Sequence, residues 1–566
     1  MKKSQLFIVV AAIAAVAVMA LVASGGGGGG GDSSTTADRD GTPAAPAGAV
    51  VVDIAYSPEK AQLLEAAIDD YNRTDPRVNG RAVFVRGRSV SSGDAQVDIA
   101  AGRLRPTVWS PASSMWGRLL TFESDRGYVP EESPSIVRTP LVIAMWEPMA
   151  RALGWPRRAI GFADVLRLAQ ADRGWEQFGH PEFGDFKLVH TNPDYSTSGL
   201  SGVVAEYYAA TGKKEGLTEA DVDRSRSSVR AIESAIVHYG DTTLFIADQL
   251  RRSGPGYASA VFMEEATLVD FNQRRGSGDK LVAIYPSEGT FYSDSPYIVL
   301  NAPWVSADQR AAAEQFATWL DGNLTPELAG RYGFRPGALE QRPAGSLTAA
   351  NGVDTAQPRR VLGVPEPRVL AKLKDTWRAD RKPANVLLVL DTSGSMNDEK
   401  RLENAKRGLQ AFLREAAPQD RIGLTAFNEE TRDLVPIAPM SGNRAKLRQT
   451  VDGLVSDGGT AAYDAVDHAV DTVRGMADRD HINAVVVLTD GEDTDSGISA
   501  RSLVDKLAAQ GDSTSHVRVF TIAYGNSVAG GAKEQMAAIA EASGGLAYEG
   551  STDDIDQVYR SISSFF

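Results

Sequence analysis

No cysteine occurs in the 566 residues. That excludes disulfides, thiol catalysis and zinc–thiolate sites together, and leaves the redox compartment undetermined. Histidine is scarce, with six scattered along the chain, so His180 and His190 are expected to be structural or exposed rather than metal ligands. A basic excess is missing too. The formal net charge is -14, whereas binding to a phosphate backbone needs clustered Lys and Arg, so nucleic acid is not an expected partner. No Gly-x-Ser-x-Gly elbow, His-Glu-x-x-His helix or phosphate loop is present,. The seven glycines from Gly25 to Gly31 follow no sheet strand, and no Lys-Ser or Lys-Thr pair opens a helix behind them,. These absences argue for a non-enzyme.

What is present begins with Val386-Leu-Leu-Val-Leu-Asp391-Thr-Ser393-Gly-Ser395. An apolar run bounded by turn chemistry predicts a buried, parallel strand, with Asp391 where it emerges at its carboxyl end. Ligands collect at that edge in open α/β sheets. The oxygens of Asp391, Ser393 and Ser395 alternate along the chain, and Gly394 lets the backbone bend between them,. Convergent hard oxygens suit a hard cation. Downstream, Gly458-Gly459-Thr460 precedes an amphipathic helix carrying Tyr463, Val466, Val470 and Val473, and Ala484-Val-Val-Val-Leu-Thr-Asp490 is a second buried strand ending in a carboxylate.

The order Asp-x-Ser-x-Ser, Gly-Gly-Thr, Thr-Asp-Gly resembles the metal-ion-dependent adhesion site (MIDAS) of von Willebrand factor type A domains, with all five positions matched. The resemblance implies Mg2+, with Mn2+ or Ca2+ as substitutes, bound directly by Ser393 and Ser395, directly or through water by Thr460, and mostly through water by Asp391 and Asp490. It also implies a vertex left for a carboxylate supplied by a partner protein.

At the amino terminus, Lys2 and Lys3 precede an uninterrupted apolar run from Leu6 to Ala23. Its 18 residues lie at the short end of what spans a bilayer, yet exceed the usual core of a cleaved signal,. Both readings stand, with an uncleaved anchor favoured. Leu21-Val22-Ala23-Ser24 looks like a bacterial lipoprotein cleavage box in which Ser24 replaces the lipidated cysteine. The Gly-, Ser- and Pro-rich stretch that follows cannot bury enough apolar surface to fold, and is expected to be a tether.

Ala49-Val-Val-Val-Asp-Ile-Ala-Tyr predicts a buried strand, and Ser57-Pro58-Glu59 a capped helix start behind it,. A strand at Ala82–Val85 is followed by a short run at Asp98-Ile99-Ala100. Ser110-Pro111 repeats the serine–proline device, and Ser196-Thr197-Ser198 opens a third helix. Residues 48–340 resemble a type 2 periplasmic solute-binding protein, with Thr139–Trp146 as the first crossing between two lobes and Leu281–Tyr285 leading to Pro296–Leu300 as the return. In oxyanion-binding relatives such turns hold their solute by hydroxyls and helix dipoles. Ser57, Ser110, Ser196, Thr197 and Ser198 are the corresponding candidates here, set against the plainer reading of ordinary helix caps. Glu288 and Asp294 either face a cation or are solvated.

The expected organisation is a signal peptide or membrane anchor at 1–24, a disordered tether at 25–47, a two-lobed solute-binding-like domain at 48–340, a connector with a short helix at 341–383, and a doubly wound, mostly parallel α/β domain of the von Willebrand A type at 384–566. The expected function is that of an exported, membrane-anchored binding protein, its folded part extracytoplasmic, that captures an acidic residue of a partner through Mg2+. The alternative is a transport receptor for a small oxyanion or other solute, with the metal domain as its docking module.

Overall fold

The structure is a computed structural model and describes residues 45–510, 516–525, 530–550 and 555–566. The expected anchor at 1–24 and most of the tether at 25–47 lie outside the described residues. Among the described residues, no helix is long and apolar enough to cross a membrane.

Among the described residues, three sheets form the framework. In the first, strand Val50–Tyr56 pairs in parallel with Arg81–Ser89 on one side and Val108–Ser110 on the other. The second is built on Val137–Trp146, whose ten residues are all buried; Ala260–Glu264 and Leu281–Ile284 pair with it antiparallel. These two sheets form the two lobes; Thr139–Trp146 and Leu281–Tyr285 fall on strands of the second sheet, and Pro296–Leu300 on the strand Ile298–Val299, which pairs antiparallel with Val108–Ser110 in the first. The third sheet has the order Thr431–Pro439, Arg421–Phe427, Ala384–Asp391, Ile482–Thr489, Val517–Tyr524, Ala547–Gly550. It is parallel throughout except for the antiparallel edge pair of the first two. The inner strands Ala384–Asp391 and Ile482–Thr489 are buried along their whole length, as unbroken Val and Leu runs demand of a sheet covered on both faces,.

Local readings needed correction in the first lobe. Asp98–Ala100 belongs to a helix, Ser92–Ala101, whose cap Ser91 accepts the Asp94 N–H. Ser57 caps nothing with its side chain; its hydroxyl donates to Glu59 instead, at 2.6 Å. The helix expected at Ser110-Pro111 starts at Ser114, because Ser113 supplies the capping oxygen and the Pro111 carbonyl is taken by the ammonium of Lys60 at 2.9 Å. Glu288 and Asp294 take backbone N–H partners. Glu288 accepts the N–H groups of Phe162 and Ala163 at the start of a helix, and Asp294 accepts that of Ser114.

The lobes are shut against each other. Gly93 of the first donates its N–H to the Tyr195 carbonyl of the second at 2.9 Å. A Cβ on Gly93 would stand 2.0 Å from the Asp194 carbonyl oxygen, so glycine is required by this approach,. Trp116 donates across the same seam to Thr197 at 2.8 Å.

Helix Pro367–Asp380 runs over this seam. Its apolar stripe, Val369, Leu370, Leu373 and Trp377, is buried,. Lys374 lies 5.0 Å above the ring of Trp116 in the first lobe. Arg378 forks onto Asp194 of the second lobe with two bonds of 2.7 Å, and Asp380 receives Arg226 and Arg230. Directly behind the helix, Arg381 meets Asp420 of the third-sheet region at 2.6 and 3.1 Å, with both side chains buried. One short helix thus touches all three bodies.

Candidate metal centre

Asp391 ends its strand with a fully buried carboxylate. One oxygen accepts the Ser393 N–H at 2.8 Å, and the other accepts the Thr489 hydroxyl at 2.6 Å. Burial pushes the Asp391 carboxyl up to about 6 against the pull of these bonds,. Ser393 and Ser395 hydroxyl oxygens are 3.1 Å apart, and Ser395 donates to Asp490 at 2.7 Å. Thr460 comes to the same place: a Cβ on Gly491 would lie 3.8 Å from the Ser395 hydroxyl and 4.0 Å from that of Thr460. The structure therefore gathers Asp391, Ser393, Ser395, Thr460 and Asp490 at the carboxyl edge of the third sheet.

The threonine loop is held by two acids absent from the sequence-based site. Asp495 accepts the Thr460 N–H at 3.0 Å, and Glu429 accepts that of Gly459 at 2.9 Å. A side chain on Gly458 would collide with the Glu429 carboxylate and one on Gly459 with that of Asp495, so the Gly-Gly pair exists to let these carboxylates in.

A third unforeseen residue is Arg401. Its guanidinium donates to the second oxygen of Asp490 at 2.7 Å, and both side chains are buried. Burial works against the guanidinium charge, but Asp490 and Glu399 outweigh it and hold Arg401 more firmly charged than in water.

The donor set fits a small hard dication. Among the described residues, no group of three or more His, Asp or Glu stands in metal-holding geometry, so hydroxyls rather than carboxylates dominate here. Neighbouring ligands of an octahedral ion bound at ~2.1 Å lie ~3.0 Å apart. The Ser393–Ser395 separation, 3.1 Å, is close to that value.

The residues proposed for the solute cleft divide. Ser57, Ser196 and Thr197 line the seam between the lobes, where the cavity volume is about 20 Å³, enough for one water. Ser110 and Ser198 do not line it. The Ser110 hydroxyl is buried without a hydrogen-bond partner among the described residues, and Ser198 is paired with Thr191 at 2.7 Å. Lining residues not foreseen from sequence include Asp241 and Glu264, which burial raises to about 6 and about 7. His190 is structural: fully buried, it bonds Glu233 at 2.9 Å.

Residues 52–335 match the family model described as bacterial extracellular solute-binding protein, and residues 385–559 that of the von Willebrand factor type A domain. An uncharacterized protein of Mycobacterium tuberculosis is 24% identical over 520 residues, which is 88% of this chain and 74% of that protein. Among solved structures, a periplasmic thiamin binding protein is similar over 62% of this chain and 99% of its own, at 11% identity and a TM-score of 0.42. A von Willebrand factor type A protein from Catenulispora acidiphila is similar over 32% of this chain and 42% of its own, at 20% identity and a TM-score of 0.28.

Proposed function

The chain belongs to the bacterial extracellular solute-binding protein family and carries a von Willebrand factor type A domain behind that part, and from this premise we propose an exported, membrane-tethered binding protein that grips an acidic residue of a partner protein through Mg2+. Both parts are of binding rather than catalytic type. Domains of the von Willebrand A type commonly hold a divalent metal at this set of loops. When bound, the ion supplies a Lewis-acidic vertex for a foreign carboxylate. Ser393 and Ser395 would hold it directly, Thr460 directly or through water, and Asp391 and Asp490 mostly through water.

The observation that carries this reading is the convergence of those five oxygen-bearing side chains on one sheet edge. Arg401 adds to it, because its guanidinium offsets the charge that Asp490 offers the ion, and an anionic partner group makes up the difference,. Arg401→Gln is accordingly expected to tighten Mg2+ about tenfold in a calorimetric titration. Unchanged or weaker affinity would contradict that role.

The two lobes serve as the scaffold that presents this edge. A small-solute receptor for transport would have to part the Gly93–Tyr195 and Trp116–Thr197 contacts and release the helix clamped over them. The direct test of capture uses the full chain on an array of short peptides with and without Asp or Glu. Binding confined to acidic peptides, present in Mg2+ and lost in EDTA, is the expected result. Equal binding in both buffers rejects the proposal.

A further inference from the structure

A second cavity, of about 570 Å³, lies between the second lobe and the connector, within the size range of small-molecule sites. One wall is the segment 349–360 of the connector, which is fastened to the lobe. Ala283 donates to the Gly352 carbonyl at 2.9 Å, Arg335 to that of Gln357 at 2.6 Å, and Leu362 to that of Thr290 at 2.8 Å. The opposite wall is the loop 155–160, tied down by the Ser287 N–H on the Ile160 carbonyl at 3.1 Å.

Floor and rim differ in chemistry. The floor is apolar: Ile160, Ile284 and Val353 are buried there, joined by the rings of Trp155 and Tyr285. The Tyr285 hydroxyl is committed to Glu265, so that side chain offers the cavity chiefly its ring. The rim carries Arg158, Arg359 and Arg360 against a single acid, Asp354, in a chain whose net charge is -14. Arg158 is engaged by Asp164 at 2.9 Å, and Arg360 spends one arm on the Ser287 carbonyl at 2.9 Å. The Arg359 side chain makes no hydrogen bond or ion pair among the described residues. With Arg158 neutralised by Asp164, Arg359 and Arg360 stand side by side at the edge of an apolar floor with no carboxylate in ion-pair contact among the described residues, and a planar fork suits carboxylate, sulfonate or phosphate oxygens,.

We propose that this cavity binds a small amphipathic anion: an organic acid whose ring or branched hydrocarbon body fills the floor and whose head group meets Arg359 and Arg360. The site is independent of the metal edge and of the seam between the lobes.

Two fluorescent probes of similar body separate charge from hydrophobicity: 8-anilinonaphthalene-1-sulfonate and the uncharged N-phenyl-1-naphthylamine. Titrated into the full-length protein, the sulfonate is expected to saturate at one probe per chain. The exposed pair Arg359→Glu with Arg360→Glu should weaken it at least about tenfold, while leaving the neutral probe unchanged. Ala159→Trp, which fills the cavity from another exposed position, should weaken both. Melting temperatures equal to the parent's establish that the variants fold. Absence of saturable sulfonate binding, or equal affinity in either variant, overturns the proposal.

Discussion

Replacing Asp420 with alanine is expected to remove about 3–5 kcal/mol from the folded protein, the usual cost of stranding one member of a buried ion pair. Asp420 accepts four hydrogen bonds: two from Arg381, one from the Ala384 N–H and one from the Ala417 N–H, both at 3.1 Å. Its loss leaves a buried guanidinium without a counter-charge at the point where the lobe-spanning helix enters the first strand of the third sheet. All eight tryptophans precede Ala384, so their fluorescence reports on the lobes and the helix, whereas circular dichroism reports on the whole chain. In urea the parent should show coincident transitions by the two probes, and Asp420→Ala should pull them apart. The paired change Arg381→Met with Asp420→Leu should recover most of the loss. Coincident transitions in Asp420→Ala, at the parent's midpoint, would mean that the junction carries no load.

The second large effect concerns Asp391. Asp391→Asn keeps the shape and an acceptor for the Ser393 N–H but removes the charge behind the site, so Mg2+ affinity is expected to fall at least about a hundredfold with little change in melting temperature. Asp391→Ala should lose the ion as well and, in addition, about 1–3 kcal/mol of stability, because the Ser393 N–H and the Thr489 hydroxyl then lack their acceptor,. Calorimetry of the metal and thermal melts of the apo forms distinguish the two substitutions. Retained Mg2+ affinity in both would remove Asp391 from the site.

The metal edge was legible because its grammar is local. The loops of Asp391 and Asp490 each follow a run of Val and Leu long enough to be a buried strand, and Gly458-Gly459, behind the helix Met440–Asp452, marks a loop that acids approach closely. Arg401 was not legible. In sequence it is only the first residue of an amphipathic helix, and 89 residues separate it from Asp490. What turns it inward is backbone: Glu399 and Lys400 adopt consecutive left-handed conformations at φ 50° and 58°, which no composition rule foretells for these residue types,.

The first lobe shows the opposite error. Ser-Pro is a sound helix-start signal, yet at Ser110 the chain goes three residues further before Ser113 caps, since the intervening carbonyl answers a buried lysine 51 residues away. The contacts that close the lobes around Ser57, Ser196 and Thr197, such as Trp116 with Thr197, are ones that sequence spacing does not encode.

The most direct measurement is anomalous scattering from crystals of the full chain grown with Mn2+ in place of Mg2+. One strong peak is expected within ~2.3 Å of both the Ser393 and Ser395 hydroxyl oxygens, on the side facing Thr460. Manganese bound elsewhere, with no peak at these serines, would contradict the account.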